Sequence, residues 1–420
     1  MPEHLRGWWR SWYGKEAFAL PLPADWQLID ARMRGGPTLT DAELRERLAQ
    51  PVGSPPLREL AQGRRSACIA IDDMTRPTEA FRILPLVLAE LNAAGLADDD
   101  ILILVSLGTH RPLTRVDLLK KVGPEVLRRV RIYNHNPYLN LTYVGTTQYG
   151  TPVHVNAQFV AADLKLSLGL MAPHSYAGFS AGGKIVLPGL ASWETVLANH
   201  KPANKVMSGQ VGQVTGNTRR EEIDEAARLA GLEFSINVVS NEQGETAALV
   251  CGAVTASWQA AAQLAARLYA TAVPVGADIA VFNAFPKDTE LLQALNSLNP
   301  WNPGAGHKDV VREGGTIVVL TAASEGHGWL GLINPGGPLH QRRDQHPVYR
   351  QMLANRALYF LSPNLSPANL LDHYPPEVKV VPDWDSLLPL LRQRHPGPAS
   401  VAFFPCGPLQ IHPDDLRLPG

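Results

Sequence analysis

The sequence predicts an α/β protein made of two α/β domains with mostly parallel sheets. Short apolar runs alternate with longer segments of helical periodicity, which is the pattern of parallel strands covered by helices. The pattern restarts after Pro274, so we expect an N-terminal α/β domain over residues 1–271 and a C-terminal α/β domain over residues 272–420. The length of 420 residues agrees with two or three domains of ordinary size.

The apolar runs predict strands and the periodic segments predict helices. In the N-terminal domain these are strand 67–72, helix 79–95, strand 101–107, a helix from Thr114, strands 129–134 and 164–170, a helix starting near Ser192, and the alanine-rich helix 255–271. In the C-terminal domain they are strand 278–284, helix 289–298, strand 316–321, helix 346–355, strand 357–361, and short strands near 378–381 and 400–404. Two α/β domains usually leave a cleft between them, and ligands bind outside the carboxyl ends of parallel strands. We therefore expect the active site in the interdomain cleft, with its residues just after strand ends.

Composition and charge exclude several classes of protein. Hydrophobic residues make up 45% of the chain and charged residues 18%, which favours packed cores over disorder. The net charge of −1 gives no electrostatic footprint for nucleic acid or an anionic membrane. No window approaches the ~20 apolar residues of a membrane helix, and three widely separated cysteines exclude a disulfide framework. We expect a cytoplasmic protein with neither a nucleic-acid nor a membrane partner.

The first polar cluster follows the predicted strand 67–72, where the chain reads Asp-Asp-Met-Thr-Arg-Pro. Asp73 and Thr75 supply a carboxylate and a hydroxyl at the point where the strand ends. Arg76 offers a planar guanidinium that suits a carboxylate or a phosphate. The alternative is a purely structural Asp–Arg pair that stabilises the turn before Pro77.

The next predicted strand ends in a similar cluster. Gly108 allows a close approach of the backbone, and Thr109 and His110 follow it directly. Histidine is the side chain that titrates near pH 7 without perturbation, so His110 can both accept and donate a proton. A histidine beside Pro112 can equally be an ordinary turn residue.

The third cluster is a glycine-rich segment after strand 164–170. It begins near His174, and Gly178, four residues, Gly183 and Lys184 nearly match a phosphate-binding loop. Ile185 replaces the Ser or Thr whose hydroxyl would hold Mg²⁺, so a nucleoside triphosphatase is disfavoured. What remains is a lysine held by glycine-rich backbone, which favours a desolvated and nucleophilic amine.

A further histidine, His200, lies in the helix predicted to start near Ser192. A helical histidine that faces a cleft can bind a metal ion, whereas a surface histidine is the commoner case. Neither an HExxH motif nor a cysteine spacing supports zinc.

Together these motifs resemble those of the nickel-dependent lactate racemase family. The resemblance is carried by IDDMTRP at 71–77, GTHRP at 108–112, APHSYAGFSAGGKIVLPG at 172–189 and His200. The segments 12–15 and 285–288 also look like the start of that family's chain and the entry to its second domain. The resemblance implies two α/β domains with the active site between them, and a racemase or epimerase of 2-hydroxy carboxylic acids.

The resemblance also implies a cofactor, the nickel pincer nucleotide, which is a nickel-bearing pyridinium-3-thioamide-5-thiocarboxylic acid mononucleotide. Lys184 matches the lysine that joins the cofactor through a thioamide, and His200 matches the protein ligand of nickel. His110 and His174 match the two catalytic histidines, and Arg76 matches the catalytic arginine near the substrate. The remaining cofactor-binding matches are Asp73, Thr75, Gly108, Thr109, Gly182 and Gly183.

The implied reaction is a reversible hydride transfer. A base takes the hydroxyl proton while hydride passes to the cofactor ring, and hydride return to either face of the planar keto acid gives racemisation. A base on each face requires two histidines. The implied partners are a small 2-hydroxyacid substrate and the enzymes that build the cofactor.

One segment departs from the pattern of the family. Its lactate-type members carry Tyr-Gln with a Lys three residues after the Gln, whereas Leu292, Gln293 and Asn296 stand at those positions here. Losing the Lys removes a charge-assisted hydrogen bond to a carboxylate, typically ~1.5–3 kcal/mol. Leu292 makes the predicted substrate site more apolar, so a bulkier 2-hydroxyacid than lactate is possible. Leu292 can also be an ordinary core residue.

Two other functions remain open from the sequence. A nicotinamide-dependent dehydrogenase of hydroxy acids would use the same fold class, although no GxGxxG motif follows the first predicted strand. A non-catalytic homologue would bind the cofactor or an organic acid without turnover.

Overall fold

The computed structural model of the chain describes residues 3–201, 210–301 and 307–418. Its strands are β1 (His4–Trp9), β2 (Glu16–Pro21), β3 (Trp26–Asp30), β4 (Ala67–Asp72), β5 (Ile101–Ser106), β6 (Arg131–Asn134), β7 (Leu141–Thr146), β8 (Pro152–Asn156), β9 (Leu164–Leu170), β10 (Pro173–His174), β11 (Gly178–Phe179), β12 (Phe234–Ser240), β13 (Thr246–Ala253), β14 (Ala277–Asn283), β15 (Val311–Leu320), β16 (Ala357–Leu361), β17 (Lys379–Val381) and β18 (Ala399–Phe404). Its α-helices are α1 (Asp41–Leu48), α2 (Leu57–Ala61), α3 (Ala80–Ala93), α4 (Arg115–Arg129), α5 (Ala157–Ala161), α6 (Trp193–His200), α7 (Thr218–Leu229), α8 (Val254–Tyr269), α9 (Leu291–Ala294), α10 (Pro347–Leu353), α11 (Pro367–Leu371) and α12 (Trp384–Arg394).

The chain forms two compact units. The N-terminal unit contains Gly35–Asn241 and Glu245–Arg267, and the C-terminal unit contains Leu268–Leu416 together with the first 34 residues. Each unit has its own six-stranded sheet with helices, so the predicted α/β class with mostly parallel sheets is confirmed.

The sheet of the N-terminal unit has the strand order β13-β12-β9-β4-β5-β6, and all its pairings are parallel except β12 with β13. The chain leaves β4 toward β5 and β6, then returns to place β9 on the other side of β4. The two neighbouring strands β4 and β9 therefore flank the point at which the winding direction reverses. In doubly wound sheets this switch point is where ligands bind, at the carboxyl ends of the strands.

The sheet of the C-terminal unit has the order β17-β16-β15-β14-β18-β3, with every pairing parallel. Its edge strand β3 pairs with β18 from Ala399 opposite Trp26 onward, and Trp26 is buried. Residues 1–34, which the local pattern assigns to the N-terminal domain, thus group with the C-terminal unit. This division is not contiguous in sequence because it depends on a pairing between distant segments, which local periodicity does not reveal.

Successive residues of the C-terminal strands pack on opposite faces of the sheet. Phe282 and Phe404 stack at 4.6 Å in the core of one face, whereas Val281 and Phe403 belong to the core of the other. This alternation is the two-residue period of a strand, and it buries both faces as a parallel sheet requires.

Several predicted elements agree with the structure and one does not. Strands 67–72, 164–170 and 357–361 have the predicted bounds. The predicted helix 289–298 begins two residues later and changes type: α9 covers Leu291–Ala294, and a 3₁₀ helix, Leu295–Leu298, follows it. Among the described residues, no helix is both long and apolar enough to cross a membrane.

Candidate active site

The carboxyl ends of β4 and β5 bring Asp73 and His110 into contact. Asp73 is the first residue after β4, and Gly108, with a φ of +56°, allows the turn that follows β5. His110 Nδ1 lies 2.5 Å from Asp73 Oδ2. Because an ionised carboxylate only accepts, His110 carries its proton on Nδ1 and leaves Nε2 for acid–base chemistry.

Asp73 is held as an anion by its neighbours. The backbone N–H and the hydroxyl of Thr75 both donate to Asp73 Oδ1, at 3.0 and 2.5 Å. Arg76 Nη1 donates to the Thr75 hydroxyl oxygen at 2.9 Å. Burial raises the pKa of Asp73, but the charge and hydrogen bond of His110, with Arg76 and Thr75, hold this pKa well below its usual range. The pair is therefore a carboxylate that orients an imidazole.

Lys184 lies in a 3₁₀ helix, Gly182–Ile185, that follows the glycine-rich segment. Ala181, with a φ of +60°, begins this turn in a region that L-residues rarely adopt. Burial first, and then the positive charges of Arg76 and Arg220, lower the pKa of Lys184 to about 7, with the charge of Asp73 opposing them. A large fraction of this amine is therefore neutral at neutral pH.

The glycines of this segment are needed for packing inside the protein. A Cβ on Gly182 would lie 2.7 Å from Arg220 Nη2, and one on Gly183 would lie 2.7 Å from Asp224 Oδ1. The backbone N–H of Gly182 donates to Asn237 Oδ1 at 3.1 Å. Gly108, the third glycine of the predicted cofactor site, likewise donates its N–H to a backbone carbonyl, that of residue 189, at 2.8 Å. These glycines thus place the 3₁₀ helix against α7 and the body of the unit.

His200 is the last residue of α6. The helix begins after Ser192, whose hydroxyl accepts the Thr195 N–H at 3.1 Å, as an N-cap does. His200 Nδ1 lies 2.9 Å from the carbonyl oxygen of Val196, so Nδ1 donates and Nε2 keeps its lone pair. Burial, followed by the positive charge of Lys184, lowers the pKa of His200 to about 4. This imidazole is therefore neutral at pH 7.

Tyr176 lies between His174 and His200. Its ring centroid is 6.2 Å from that of each histidine, in edge-to-face geometry. The Arg219 guanidinium lies 5.0 Å from the centroid of the Tyr176 ring. His174 Nδ1 accepts the backbone N–H groups of Tyr176 and Ala177 at 3.2 and 3.3 Å, so the neutral ring carries its proton on Nε2. The two predicted catalytic histidines thus have opposite tautomers.

Six of the predicted site residues of the N-terminal unit form one cluster, linked by contacts or by electrostatic effects on their pKa values. It contains Asp73, Thr75, Arg76, His110, Lys184 and His200. Thr109 is half-buried between Gly108 and His110.

The remaining predicted site residues lie in the C-terminal unit. Leu292 and Gln293 are buried in α9. Asn296, in the 3₁₀ helix, donates to the carbonyl oxygen of Gln293 at 2.9 Å. Their contact with a substrate stays a prediction.

Sequence reasoning missed the cations that support this site. Lys121 is completely buried beneath the turn after β4, and Arg220 packs 3.7 Å from the Trp258 ring centroid while pairing with Asp224. A signal for Lys121 was present, because it lies four residues after the buried Asp117 on the inner face of α4. A charged residue on an otherwise apolar helix face indicates a buried polar contact.

A second histidine cluster, His307, His412 and Asp414, has candidate ligand atoms within 4.8 Å of one another. The two rings are stacked, with centroids 3.9 Å apart and planes 14° apart, so their in-plane lone pairs do not converge on one point. His412 Nδ1 accepts the Asp414 N–H at 3.1 Å, and His307 Nε2 pairs with Asp415 at 2.7 Å. This arrangement is a hydrogen-bonded histidine–aspartate pair with a stacked ring rather than a metal centre.

A mostly parallel α/β sheet with a carboxylate-paired histidine and a partly neutral buried lysine near its switch point is the pattern expected of an enzyme active site. Comparison with known proteins agrees. A family model described as the lactate racemase N-terminal domain matches residues 13–210. The chain is 32% identical over 293 residues to a lactate racemase of Lactiplantibacillus plantarum, covering 68% of this chain and 67% of that one. It is 28% identical over 329 residues to a lactate racemase of Thermoanaerobacterium thermosaccharolyticum, covering 76% and 75%.

Solved structures have the same fold. The lactate racemase apoprotein of Thermoanaerobacterium thermosaccharolyticum superposes with a TM-score of 0.74 at 22% identity, covering 97% of this chain and 99% of that one. A protein from Thermotoga maritima superposes with a TM-score of 0.59 at 18% identity, covering 83% and 98%. The chain belongs to the lactate racemase family and is therefore an enzyme of the isomerase class. The resemblance found in the sequence motifs is confirmed.

The pKa of Lys184 predicts a pH-dependent reactivity. Only the neutral amine reacts with acetic anhydride, and its fraction falls as pH falls through the pKa of about 7. We expect the acetylation rate of Lys184 in cofactor-free protein, measured by mass spectrometry, to rise most steeply between about pH 6 and pH 8 and then to level off.

The cause of this shift is separately testable. Arg76→Met removes a positive charge that lowers the Lys184 pKa, so the midpoint should move to higher pH. Arg65→Met is the control, because the Arg65 side chain is 89% exposed. A Lys184 midpoint near the ordinary lysine pKa of about 10.4 in the unmodified protein contradicts this view of the site.

Proposed function

We propose that the protein interconverts the enantiomers of a 2-hydroxy carboxylic acid with the nickel pincer nucleotide as cofactor. The observation that carries the proposal is the cluster of His110 on an ionised Asp73 with a neutral His200 and a partly neutral Lys184. The named relatives support racemisation and make lactate the first substrate to test. A bulkier 2-hydroxyacid is the alternative substrate, because Leu292 and Asn296 stand where the lactate-type pattern has an aromatic residue and a lysine.

The donor set fits this cofactor. Forming a thioamide requires a neutral amine, and the pKa of Lys184, lowered to about 7 by burial, supplies one. Nickel is well suited to imidazole, and His200 offers a neutral ring whose Nδ1 is fixed on Val196. When bound, the cofactor supplies an electrophilic ring that accepts hydrogen together with its electron pair.

The protein's own task is to move the hydroxyl proton. His110 Nε2 accepts it from the substrate, and the resulting imidazolium is stabilised by Asp73 at Nδ1. Arg76, with its planar guanidinium beside this pair, binds the substrate carboxylate. Burial of Asp73 keeps water from its carboxylate and strengthens its interaction with His110.

His174 serves the opposite enantiomer. Because His174 Nδ1 accepts two backbone N–H groups, the ring carries its proton on Nε2, and this Nε2–H donates a hydrogen bond to the substrate oxygen. To act as a base it exchanges tautomer and gives up the weak hydrogen bonds from Tyr176 and Ala177. The two directions of the reaction therefore differ in which histidine accepts the hydroxyl proton, and in each direction the other histidine, as an imidazolium, returns a proton to the substrate oxygen.

The reaction type is tested by isotope exchange. Incubating the cofactor-loaded enzyme with one enantiomer of lactate in D₂O should give the other enantiomer without deuterium at C2, because the hydrogen moves with its electrons and stays inside the site. Mass spectrometry of the product measures this. Substantial deuterium at C2 would show proton abstraction and refute the proposal.

The roles of the histidines are tested by substitution. We expect His110→Gln to lower kcat by about 10²–10⁴-fold in both directions, since general acid–base catalysis contributes that much. His154→Gln is the control, because His154 lies in β8 and packs on Tyr143 at 5.2 Å instead. Equal rates in the His110→Gln variant and the unmodified enzyme would remove His110 from the mechanism.

The attachment of the cofactor is tested by intact mass and metal analysis. Protein produced together with the cofactor-building enzymes should carry a covalent adduct and one equivalent of nickel, and Lys184→Ala should lose the adduct. Lys165→Ala is the control, since Lys165 donates to Ala162 at 2.6 Å near the start of β9. An adduct that persists in Lys184→Ala places the attachment elsewhere.

A further inference from the structure

We propose that Lys121 is a positioning residue of the active site: its buried ammonium fixes the turn that carries Asp73, Thr75 and Arg76, and so fixes the carboxylate on His110. The inference rests on the proposed function, because it takes His110 as the base.

Lys121 makes its contacts with one short segment of chain. Its side chain is fully buried, and Nζ donates to Asp72 Oδ1 at 2.6 Å, to the Asp73 carbonyl oxygen at 3.0 Å and to the Arg76 carbonyl oxygen at 2.7 Å. An ammonium has three N–H donors, and three acceptors from residues 72–76 match them. The two carbonyls bracket the turn, so Lys121 sets the distance between its ends.

The carboxylate of Asp72, which pairs with Lys121, also contacts the neighbouring strand β9. Asp72 Oδ2 accepts the Thr78 hydroxyl at 2.6 Å and the Leu170 N–H at 2.8 Å. Leu170 ends β9, four residues before His174. Lys121 therefore neutralises the carboxylate that joins the ends of β4 and β9 at the switch point.

The placement of Lys121 is set by a break in its helix. Gly123, with φ 78° and ψ 164°, interrupts α4 two residues later, and Lys121 lies on the buried face with Asp117 and Val122. Burying an ammonium is unfavourable unless its donors are all satisfied. Here the acceptors belong to the turn, so an apolar side chain of similar volume would fill the space but leave the turn unsupported.

The position of the turn determines the contact between the Asp73 carboxylate and His110. Asp73 Oδ1 is fixed from within the turn by the N–H and hydroxyl of Thr75, while Oδ2 faces His110. Arg76 and Asp73 are the other charges that act on Lys121, besides Asp72. A shift of the turn moves the carboxylate away from the imidazole and loses the Nδ1–H tautomer.

The test combines Lys121→Met with Asp73→Asn in the full-length, cofactor-loaded enzyme, with lactate as the probe. We expect Lys121→Met to lower kcat/KM at least tenfold in the otherwise unmodified enzyme, and less than threefold in the Asp73→Asn background, where the carboxylate is already lost. The control is Lys165→Met, a lysine at the opposite end of β9. An equal loss of activity in both backgrounds would overturn the inference.

A second measurement is independent of turnover. In cofactor-free protein labelled with ¹⁵N-histidine, the His110 signals should report the Nδ1–H tautomer, and Lys121→Met should shift them while circular dichroism shows a folded chain. Unchanged His110 signals in folded Lys121→Met would also overturn the inference. If the single variant does not fold, Lys121→Met with Asp72→Asn removes both buried charges and provides the same readouts. If the unmodified, cofactor-loaded enzyme racemises neither lactate nor bulkier 2-hydroxyacids but the His110 signals behave as expected, the proposed function fails and the role of Lys121 stands.

Discussion

The arrangement of the site depends on the hydrogen bonds and the ion pair that the Asp72 carboxylate makes. It ends β4, accepts the backbone N–H that ends β9, and pairs with the buried Lys121. In a doubly wound sheet, neighbouring strands at the switch point lead their chains away in opposite directions, and the gap between them opens at this edge. A buried anion that bonds to both sides keeps the two strand ends in register. The segments that follow, one with Asp73 and the other with His174, therefore start from fixed positions.

Burial and the charges around this point determine the protonation state of each ionisable group of the site. Asp73 is a buried anion near several cations, so its pKa is held low despite burial. Lys184 and His200 have their pKa values lowered to about 7 and about 4, by burial first and then by neighbouring positive charge. The same environment thus keeps one carboxylate ionised and leaves an amine and an imidazole largely neutral. Covalent attachment at Lys184 and metal binding at His200 both need a neutral nitrogen with a free lone pair. The electrostatic environment of the site supplies both.

The local sequence pattern predicted the features of the fold that depend on residues close together in the chain. The apolar runs of β4, β9 and β16 gave correct strand bounds, and the clusters that follow β4, β5 and β9 proved to lie together because parallel strands end at one edge. Pairings between distant segments were not predictable in this way, so the membership of β3 in the second sheet was missed. The helix expected over 289–298 is an α-helix only over Leu291–Ala294; Leu295–Leu298 form a 3₁₀ helix whose leucines are buried by tertiary packing, which local periodicity does not reveal. The glycines expected to bind a cofactor could not be told from glycines required for packing, since only coordinates show that a Cβ on Gly183 would meet Asp224.

The pairing of β3 with β18 has a consequence for how the chain acquires its structure during synthesis. The residues that meet there, such as Trp26 and Ala399, come from opposite ends of the sequence, whereas the six strands of the other sheet all lie between Ala67 and Ala253. A ribosome therefore releases everything needed for the first sheet long before the partner of β3 emerges. Until then β3 and its buried tryptophan have no sheet edge to join, and closing so long a loop is entropically costly. During synthesis β3 therefore stays without its partner strand β18 while all the strands of the first sheet can already pair.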